Sequence, residues 1–198
     1  AKLMSSAGVV VVGAGQAGYQ TAESLRQEGY DGPITILGDE PHAPYQRPPL
    51  SKAYLLGETD KERLKFRPEN FYAERNIDLR VNTSVNSIER DTKQVTLLGG
   101  DILDYDHLVL ATGARVRELP VPGADLEGVF YLKTLDDIDR IEAHLAKTEN
   151  VVVIGAGFIG LEFAAVARKL DKDVTVLEAA PRVMGRAVSP MISVFFTK

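Results

Sequence analysis

The sequence of 198 residues contains no cysteine. This absence excludes a disulfide framework, cysteine-ligated zinc or iron–sulfur centres, and a thiol nucleophile within these residues. It leaves the cellular compartment open, although it is compatible with a reducing cytosol. The three histidines, His42, His107 and His144, show no triad or ligand spacing. We therefore assign them no catalytic role and expect no metal site.

Long apolar runs and an excess of basic charge are also missing. No apolar stretch approaches the roughly 18 residues of a membrane helix, and the segment before Gly13 lacks the pattern of a secretory signal. The formal net charge of -5 argues against a nucleic-acid binder. With 44% hydrophobic residues, the chain has the composition of a globular protein with a core. We expect a cytoplasmic protein that binds neither nucleic acid nor a membrane.

Two nearly identical stretches are present instead, VVVVGAGQAG at 9–18 and VVVIGAGFIG at 151–160. Each has a valine-rich run, the pattern G-x-G-x-x-G, and then a helical pattern. In such turns the first glycine allows a tight bend, the second lets the backbone approach a pyrophosphate, and the third allows close helix–strand packing. The residues predicted to bind cofactor are Gly13, Ala14, Gly15, Gln16, Ala17 and Gly18 in the first copy, and Gly155, Gly157, Phe158, Ile159 and Gly160 in the second.

In both copies an acidic residue follows the next predicted strand. It is Asp39 or Glu40 in the first copy and Glu178 in the second. A carboxylate at this place accepts hydrogen bonds from ribose hydroxyls and repels a 2′-phosphate. Glu178 thus favours NADH over NADPH, and the nearby Arg182 and Arg186 temper that preference. The alternative interpretation is two glycine-rich turns of an α/β protein with acids exposed by chance.

The wider pattern predicts an α/β fold with two Rossmann-like dinucleotide-binding domains, at 1–117 and 118–198, and a small antiparallel β insertion. Strands are predicted at 8–12, 34–37, 107–111, 150–154 and 174–177, and helices from the first glycine turn to about 28 and at 51–56, 67–75, 134–145 and 158–170. Residues 77–105 read as short antiparallel pieces, and 115–128 have the composition of a linker. The second domain has two strands where a doubly wound sheet normally has about five or six. We therefore expect a piece of a longer protein, with an unpaired strand and bare apolar surface.

Four stretches carry a resemblance to a known family: PYQRPPLSKAYL at 44–55, HLVLATGAR at 107–115, VVVIGAGFIGLEFAA at 151–165 and VTVLEAAPRVMGR at 174–186. Together they resemble the FAD-dependent NADH:ferredoxin reductases of the putidaredoxin reductase and palustrisredoxin reductase type, in the pyridine nucleotide-disulfide oxidoreductase superfamily. The resemblance covers essentially the whole chain. It implies that the first turn binds FAD, that the second binds NADH, and that a [2Fe–2S] ferredoxin carries electrons on to a cytochrome P450 or a dioxygenase.

The resemblance also implies roles for residues outside the turns. Lys52 matches a lysine near the flavin N5, and Glu162 matches an acid that faces it across the nicotinamide pocket; these two are the candidate catalytic residues. Asp39 matches a contact to the FAD ribose, Val85 a contact on the adenine side, and Lys133 a position where several members have an arginine near the flavin. The predicted cofactor-binding set also includes Glu40, Arg47, Pro48, Ala111, Thr112, Gly113, Arg115, Glu178 and Arg186.

Each of these roles has a plainer alternative. Lys52 also fits a surface lysine on a short helix, although the proline-rich loop before it favours the functional interpretation. Glu162 fits equally well an exposed first-turn acid that favours the helix dipole. Arg47 and Arg115 also fit a solvated surface, and Pro48 a stiffened loop. In the functional interpretation, Lys52 is a cation beside N5 that would stabilise the anionic reduced flavin.

Two other functions stay open at the level of sequence. One is a flavin-dependent NADH oxidase or a reductase with a small-molecule acceptor, and the other is a non-catalytic NADH-sensing module similar to apoptosis-inducing factor. Disulfide reductases of similar layout need redox cysteines, which the chain lacks. The family also has a later glycine–aspartate segment and a C-terminal domain over the flavin. Because these 198 residues include neither, we expect this piece by itself to retain FAD poorly and to be inactive.

Overall fold

The structure is a computed structural model and describes residues 7–197. The first six residues, which hold part of the segment judged not to be a secretory signal, and Lys198 lie outside the described residues. The chain forms two compact units. Unit 1 contains the residues up to Gln46 together with Glu62–Arg115, and unit 2 contains Arg47–Lys61 and the residues from Val116 onward. No helix within 7–197 is both long and apolar enough to cross a membrane.

Nine strands and six α-helices follow one another along the described chain. The strands are β1 (Val9–Val12), β2 (Ile34–Leu37), β3 (Ile77–Arg80), β4 (Val85–Glu89), β5 (Gln94–Leu97), β6 (Ile102–Asp104), β7 (His107–Leu110), β8 (Asn150–Ile154) and β9 (Asp173–Leu177). The helices are α1 (Gln16–Gln27), α2 (Lys61–Leu64), α3 (Asn70–Glu74), α4 (Leu135–Leu145), α5 (Phe158–Lys169) and α6 (Pro190–Phe195), and a π-helical turn covers Leu50–Tyr54.

The main sheet of unit 1 is parallel, with the strand order β3-β2-β1-β7. Its central strand β1 consists of four valines, and Val9, Val10 and Val11 are buried. A strand covered on both faces needs such a continuous apolar run, which is why the sequence pattern identified it. The carboxyl ends of β1 and β2 lead directly into the first glycine turn and into Asp39.

A second sheet in unit 1 is antiparallel, with the order β4-β5-β6, which confirms the predicted insertion. The strand β3 differs from the prediction, because it does not join this sheet. It pairs in parallel with β2, with Ile77 opposite Ile34 and Leu79 opposite Ile36. The segment with α3 between β2 and β3 provides the long crossover that a parallel pairing requires.

Unit 2 contains the second strand–turn–helix, in which β8 and β9 pair in parallel with Val151 opposite Val174. The helix α4 begins with the predicted capping box: Thr134 accepts from the Asp137 amide, and the Asp137 side chain accepts from the Thr134 amide. Among the described residues β8 pairs only with β9. Val152 and Ile154 are each 61% exposed, so the predicted bare apolar surface is confirmed.

Tyr72 on α3 allows a test of the core of unit 1. Its side chain is buried, and its hydroxyl has no hydrogen-bond partner among residues 7–197; burial raises the pKa of this phenol. We expect Tyr72→Phe to leave the free energy of unfolding unchanged or to raise it by about 1 kcal/mol, because it removes a buried group that forms no bond. Thermal denaturation measures the difference.

Tyr19→Phe is the matched control, since the Tyr19 hydroxyl donates to Glu23 in the same unit. This change should destabilise the protein by about 1 to 3 kcal/mol, because it removes the donor to one oxygen of Glu23 and leaves only Arg67 bound to the other. A larger loss of stability for Tyr72→Phe than for Tyr19→Phe would contradict the conclusion that the Tyr72 hydroxyl forms no hydrogen bond and the Tyr19 hydroxyl forms one.

Candidate functional site

The first glycine turn requires glycine at two of its positions for steric reasons. Gly13 has φ of 116°, in the left-handed region, and a Cβ there would lie 2.1 Å from the Ala111 carbonyl oxygen. A Cβ on Gly18 would lie 1.9 Å from the Gly13 carbonyl oxygen. The motif therefore brings β1, α1 and the end of β7 closer together than any side chain would allow.

The start of α1 is open in a way that fits a phosphate. Gly15 forms the N-cap without a side-chain hydrogen bond, and a Cβ on Gly15 would meet no atom within 4 Å. The amide N–H groups of the first turn of a helix have no partner within the helix, and they attract anions together with the helix dipole. By contrast, α4 satisfies its own N-terminus through Thr134 and Asp137.

Unit 2 repeats this arrangement, except that a Cβ on Gly155, unlike one on Gly13, would meet no atom within 4 Å. Gly155 has φ of 106°, and a Cβ on Gly160 would lie 2.0 Å from the Gly155 carbonyl oxygen. Gly157 is the N-cap of α5, again without a side-chain cap and with open space at its Cβ position. Phe158 and Ile159, the next two residues, are each 57% exposed. Both turns thus keep a space that suits the pyrophosphate of a dinucleotide.

The structure separates the two acids that the sequence left as alternatives at the end of β2. Asp39 is exposed, and within the described residues its carboxylate forms no hydrogen bond or ion pair. Glu40 instead accepts a hydrogen bond of 2.5 Å from the Tyr45 hydroxyl. Of the two, Asp39 is therefore the carboxylate whose oxygens are open to a ligand.

Glu178 after β9 is bound to the second glycine turn. One carboxylate oxygen accepts from the Ala180 amide and the other from the Ala156 amide, each at 2.8 Å. These backbone donors and the charge of Arg186 hold the pKa of Glu178 below its usual range. The acid is thus a fixed anion beside the turn. Arg182 donates to the Gly185 and Val188 carbonyls, so its guanidinium supports the loop.

Lys52 and Glu162, the two candidate catalytic residues, lie together in unit 2. The Lys52 ammonium is 3.0 Å from a Glu162 carboxylate oxygen, and the Ser51 hydroxyl donates to the same oxygen at 3.3 Å. The side chains of Lys52 and Glu162 are 46% and 34% exposed. The two candidate charges thus form an ion pair, and their catalytic roles stay predictions. Ser51 was not predicted, although it stands next to Lys52 in PPLSK.

Arg47 and Lys133 are also brought together, but through the backbone of Lys133. The Arg47 guanidinium donates to the Lys133 carbonyl oxygen at 3.0 Å. This bond ties the proline-rich stretch to the segment before α4. Because of this bond, Arg47 is not simply solvated. Pro48, the next residue, is exposed, and its role stays a prediction.

The remaining predicted residues of unit 1 occupy the neighbourhood of the parallel strands. The Ala111 amide donates to the Val12 carbonyl at 2.8 Å, which places the start of Ala111–Gly113 beside the first turn. Val85 packs against a core cluster that includes Val10 and Leu37, and Arg115 is exposed. Gln16 and Ala17 lie exposed in the first turn of α1.

A valine-rich strand, a glycine turn and a helix in each of two units define a protein built around two dinucleotide-binding α/β units. A family model described as pyridine nucleotide-disulphide oxidoreductase matches residues 7–198, and the chain belongs to this family. The resemblance inferred from the four sequence stretches is thereby confirmed.

Similar proteins include redox-protein reductases. Rhodocoxin reductase of Rhodococcus erythropolis is 51% identical over 189 residues, which cover 96% of this chain and 44% of that protein. Rubredoxin-NAD(+) reductase of Pseudomonas putida is 46% identical over 182 residues, which cover 92% of this chain and 47% of that protein. The crystal structure of the ferredoxin reductase for the CYP199A2 system of Rhodopseudomonas palustris superposes with a TM-score of 0.92 at 51% identity, covering 96% of this chain and 47% of that one. The chain thus spans less than half the length of these relatives.

Proposed function

We propose that the whole protein is a cytoplasmic NADH-dependent flavoprotein reductase that delivers single electrons to a [2Fe–2S] ferredoxin, which serves a cytochrome P450 or a dioxygenase. In this proposal unit 1 belongs to the FAD-binding domain and unit 2 to the NAD-binding domain. The observation that carries it is the presence of two open glycine turns, each with a carboxylate after the next strand, in a chain without cysteine.

Two dinucleotide sites in one protein fit a two-step transfer of electrons. When bound, FAD accepts a hydride from NADH and releases electrons one at a time. No cysteine within these 198 residues is available for a thiol relay to a disulfide substrate. An external one-electron acceptor then fits best, and the names of rhodocoxin reductase and of the CYP199A2-system reductase support such an acceptor.

The residues of this chain would contribute binding, orientation and charge. Asp39 and Glu178 would accept hydrogen bonds from ribose hydroxyls, and the amides at the starts of α1 and α5 would hold phosphates. Lys52 would place a positive charge where negative charge develops during hydride transfer, and Glu162 would restrain that charge. Such preorganised charge lowers a barrier without reorganisation during the reaction.

The test adds NADH to the purified, flavin-loaded full-length protein with and without a [2Fe–2S] ferredoxin. We expect rapid cytochrome c reduction only when the ferredoxin is present. Oxygen uptake without any acceptor protein would instead indicate an NADH oxidase. NADH binding that changes the oligomeric state without turnover would indicate a sensing module.

Rubredoxin is a second candidate acceptor, because one relative at 46% identity is a rubredoxin-NAD(+) reductase. A rubredoxin in place of the ferredoxin in the same assay separates the two. A higher kcat/KM with rubredoxin than with ferredoxin would identify rubredoxin as the acceptor. The part of the proposal that concerns the two nucleotide sites would be unaffected.

Glu178→Gln tests the second nucleotide site. The amide group of glutamine places a donor against the Ala156 or Ala180 amide and removes the negative charge. We expect the KM for NADH to rise by roughly tenfold, the effect of losing a charge-assisted hydrogen bond, and the preference for NADH over NADPH to shrink.

The pH dependence of NADH binding gives an independent check on Glu178. Because the backbone donors lower its pKa, the Glu178 carboxylate stays ionised to a lower pH than an ordinary glutamate does. The part of the NADH affinity that depends on this anion should be fully present above the ordinary glutamate pKa and should be lost as the pH falls through the lowered pKa. A loss of affinity centred at or above the ordinary glutamate pKa would contradict the role given to the backbone donors.

A further inference from the structure

We propose that Asp139 on α4 is a positioning residue for Lys52, and that it acts through the Tyr54 hydroxyl to hold the π-helical turn that carries Lys52. The proposal rests on the proposed function, since it assigns Lys52 a part in hydride transfer. It adds a residue from a helix that neither the glycine motifs nor the PPLSK stretch includes.

The backbone around Lys52 is irregular and needs external support. Lys52 has φ of -129° and ψ of -110°, which interrupts the helical geometry of Leu50–Tyr54. The amides of Lys52 and Tyr54 both donate to the Pro49 carbonyl, each at 3.0 Å. One carbonyl thus holds the two amide donors at and just after the kink at Lys52. A turn this short has little cooperative stability of its own.

The Ser51 hydroxyl gives the turn some support through its bond of 3.3 Å to Glu162, but the ion pair between Lys52 and Glu162 adds little. Its two side chains are 46% and 34% exposed, and ion pairs open to solvent contribute little because water screens them and two flexible chains lose entropy. The pair directs the Lys52 ammonium, but its four-carbon stem transmits little restraint to the backbone.

Asp139 holds the segment at two places. The Tyr54 hydroxyl donates to one carboxylate oxygen of Asp139 at 2.7 Å, and the Lys61 ammonium donates to the other at 2.6 Å. The Tyr54 ring is buried, whereas the Lys61 side chain is 51% exposed. Tyr54 follows Lys52 by two residues. Its ring is attached to the turn at one end and bonded through its hydroxyl to Asp139 at the other, so the bond restrains the turn that carries Lys52. The partly buried bond to Tyr54 should therefore contribute more than the exposed bond to Lys61.

The test compares Asp139→Ala and Tyr54→Phe in the full-length flavoprotein by two measurements. Stopped-flow bleaching of the flavin by NADH should slow by roughly tenfold in both variants, the range expected for a small misplacement of a reacting group, while the KM for NADH changes by less than about twofold. Hydrogen exchange of the amides at 52–58 should accelerate, and that of α4 should not.

Glu142→Ala is the matched control, because Glu142 lies on the same helix and acts on Tyr54 only through its charge, without a side-chain hydrogen bond within the described residues. It should leave both measurements at the wild-type level. The double variant Tyr54→Phe/Asp139→Ala should be no slower than Asp139→Ala alone, since both changes remove the same bond. Lys61→Met should have the smaller effect.

Two results would overturn the proposal. One is an unchanged rate of hydrogen exchange at 52–58 in both variants. This measurement does not depend on activity, so it tests the proposal even when the wild-type protein fails to use NADH. The other is accelerated exchange with an unchanged rate of flavin reduction. A wild-type flavoprotein that NADH does not bleach would instead refute the proposed function.

Discussion

Gly18→Ala is expected to abolish FAD retention and to destabilise unit 1 by about 3 kcal/mol or more. A Cβ on Gly18 would lie 1.9 Å from the Gly13 carbonyl oxygen. Rotation of a flexible side chain cannot relieve this clash, because it lies between the Cβ, which is fixed to the backbone of α1, and a backbone oxygen of the turn. The helix must move away from β1, and the amides that we propose to bind the FAD phosphates move with it. Thermal denaturation and the flavin content of the purified full-length protein measure both effects.

Gly15→Ala in the same turn is the matched control. Its Cβ meets no atom within 4 Å, and Gly15 has φ of -84°, which alanine also adopts. The stability should fall by about 1 kcal/mol or less, the usual cost of alanine at an N-cap, but FAD retention should still weaken because the methyl group enters the space for the phosphates. Equal destabilisation by the two changes, or normal FAD binding by Gly15→Ala, would refute this division of roles.

Lys52→Ala should slow the reduction of bound flavin by NADH roughly 10²-fold, the usual effect of removing one preorganised charge from a reacting site. FAD retention should change by less than about twofold, because the glycine turn that we propose for FAD lies in the other unit. The Lys52 ammonium is 3.0 Å from Glu162, so its loss also leaves a carboxylate without its cation. Stopped-flow measurement of flavin bleaching gives the rate.

Lys169→Ala is the control for a general effect of removing a lysine from unit 2. Lys169 is exposed near the end of α5, and within residues 7–197 its side chain forms no hydrogen bond or ion pair. Its rate should equal that of the wild-type protein. A Lys52→Ala protein that bleaches at the wild-type rate would show that Lys52 is a surface lysine, which was the plainer interpretation of the sequence.

Local pattern sufficed for most secondary-structure elements near the site. The strand β8 (Asn150–Ile154) has the predicted bounds, and α5 ends one residue before the predicted Leu170. Valine runs and glycine turns specify their structure over a few residues, so no distant contact is needed to recognise them. The π-helical turn was predicted as an ordinary helix at 51–56, because the bifurcated bonds to Pro49 leave no signature in residue type.

The short elements before β4 were harder to predict for a different reason. The strand β3 was included in the antiparallel stretch, and α2 was not predicted at all. Four-residue elements carry too few residues for a periodic signal. Pairing with β2, which lies far away in the sequence, decides the place of β3.

The sequence by itself determined that two turns of the G-x-G-x-x-G type exist, where their helices begin, and that these residues contain no thiol. The turns and the helix starts depend on residues close together in the sequence, and the lack of a thiol depends on composition alone. Only the tertiary structure decided that Asp39 is open while Glu40 is engaged by Tyr45, and that Arg47–Lys61 packs within unit 2. It also decided that Asp139 reaches the turn of Lys52. These contacts join residues from separate elements, and the chain positions of such residues say nothing about the distance between their side chains.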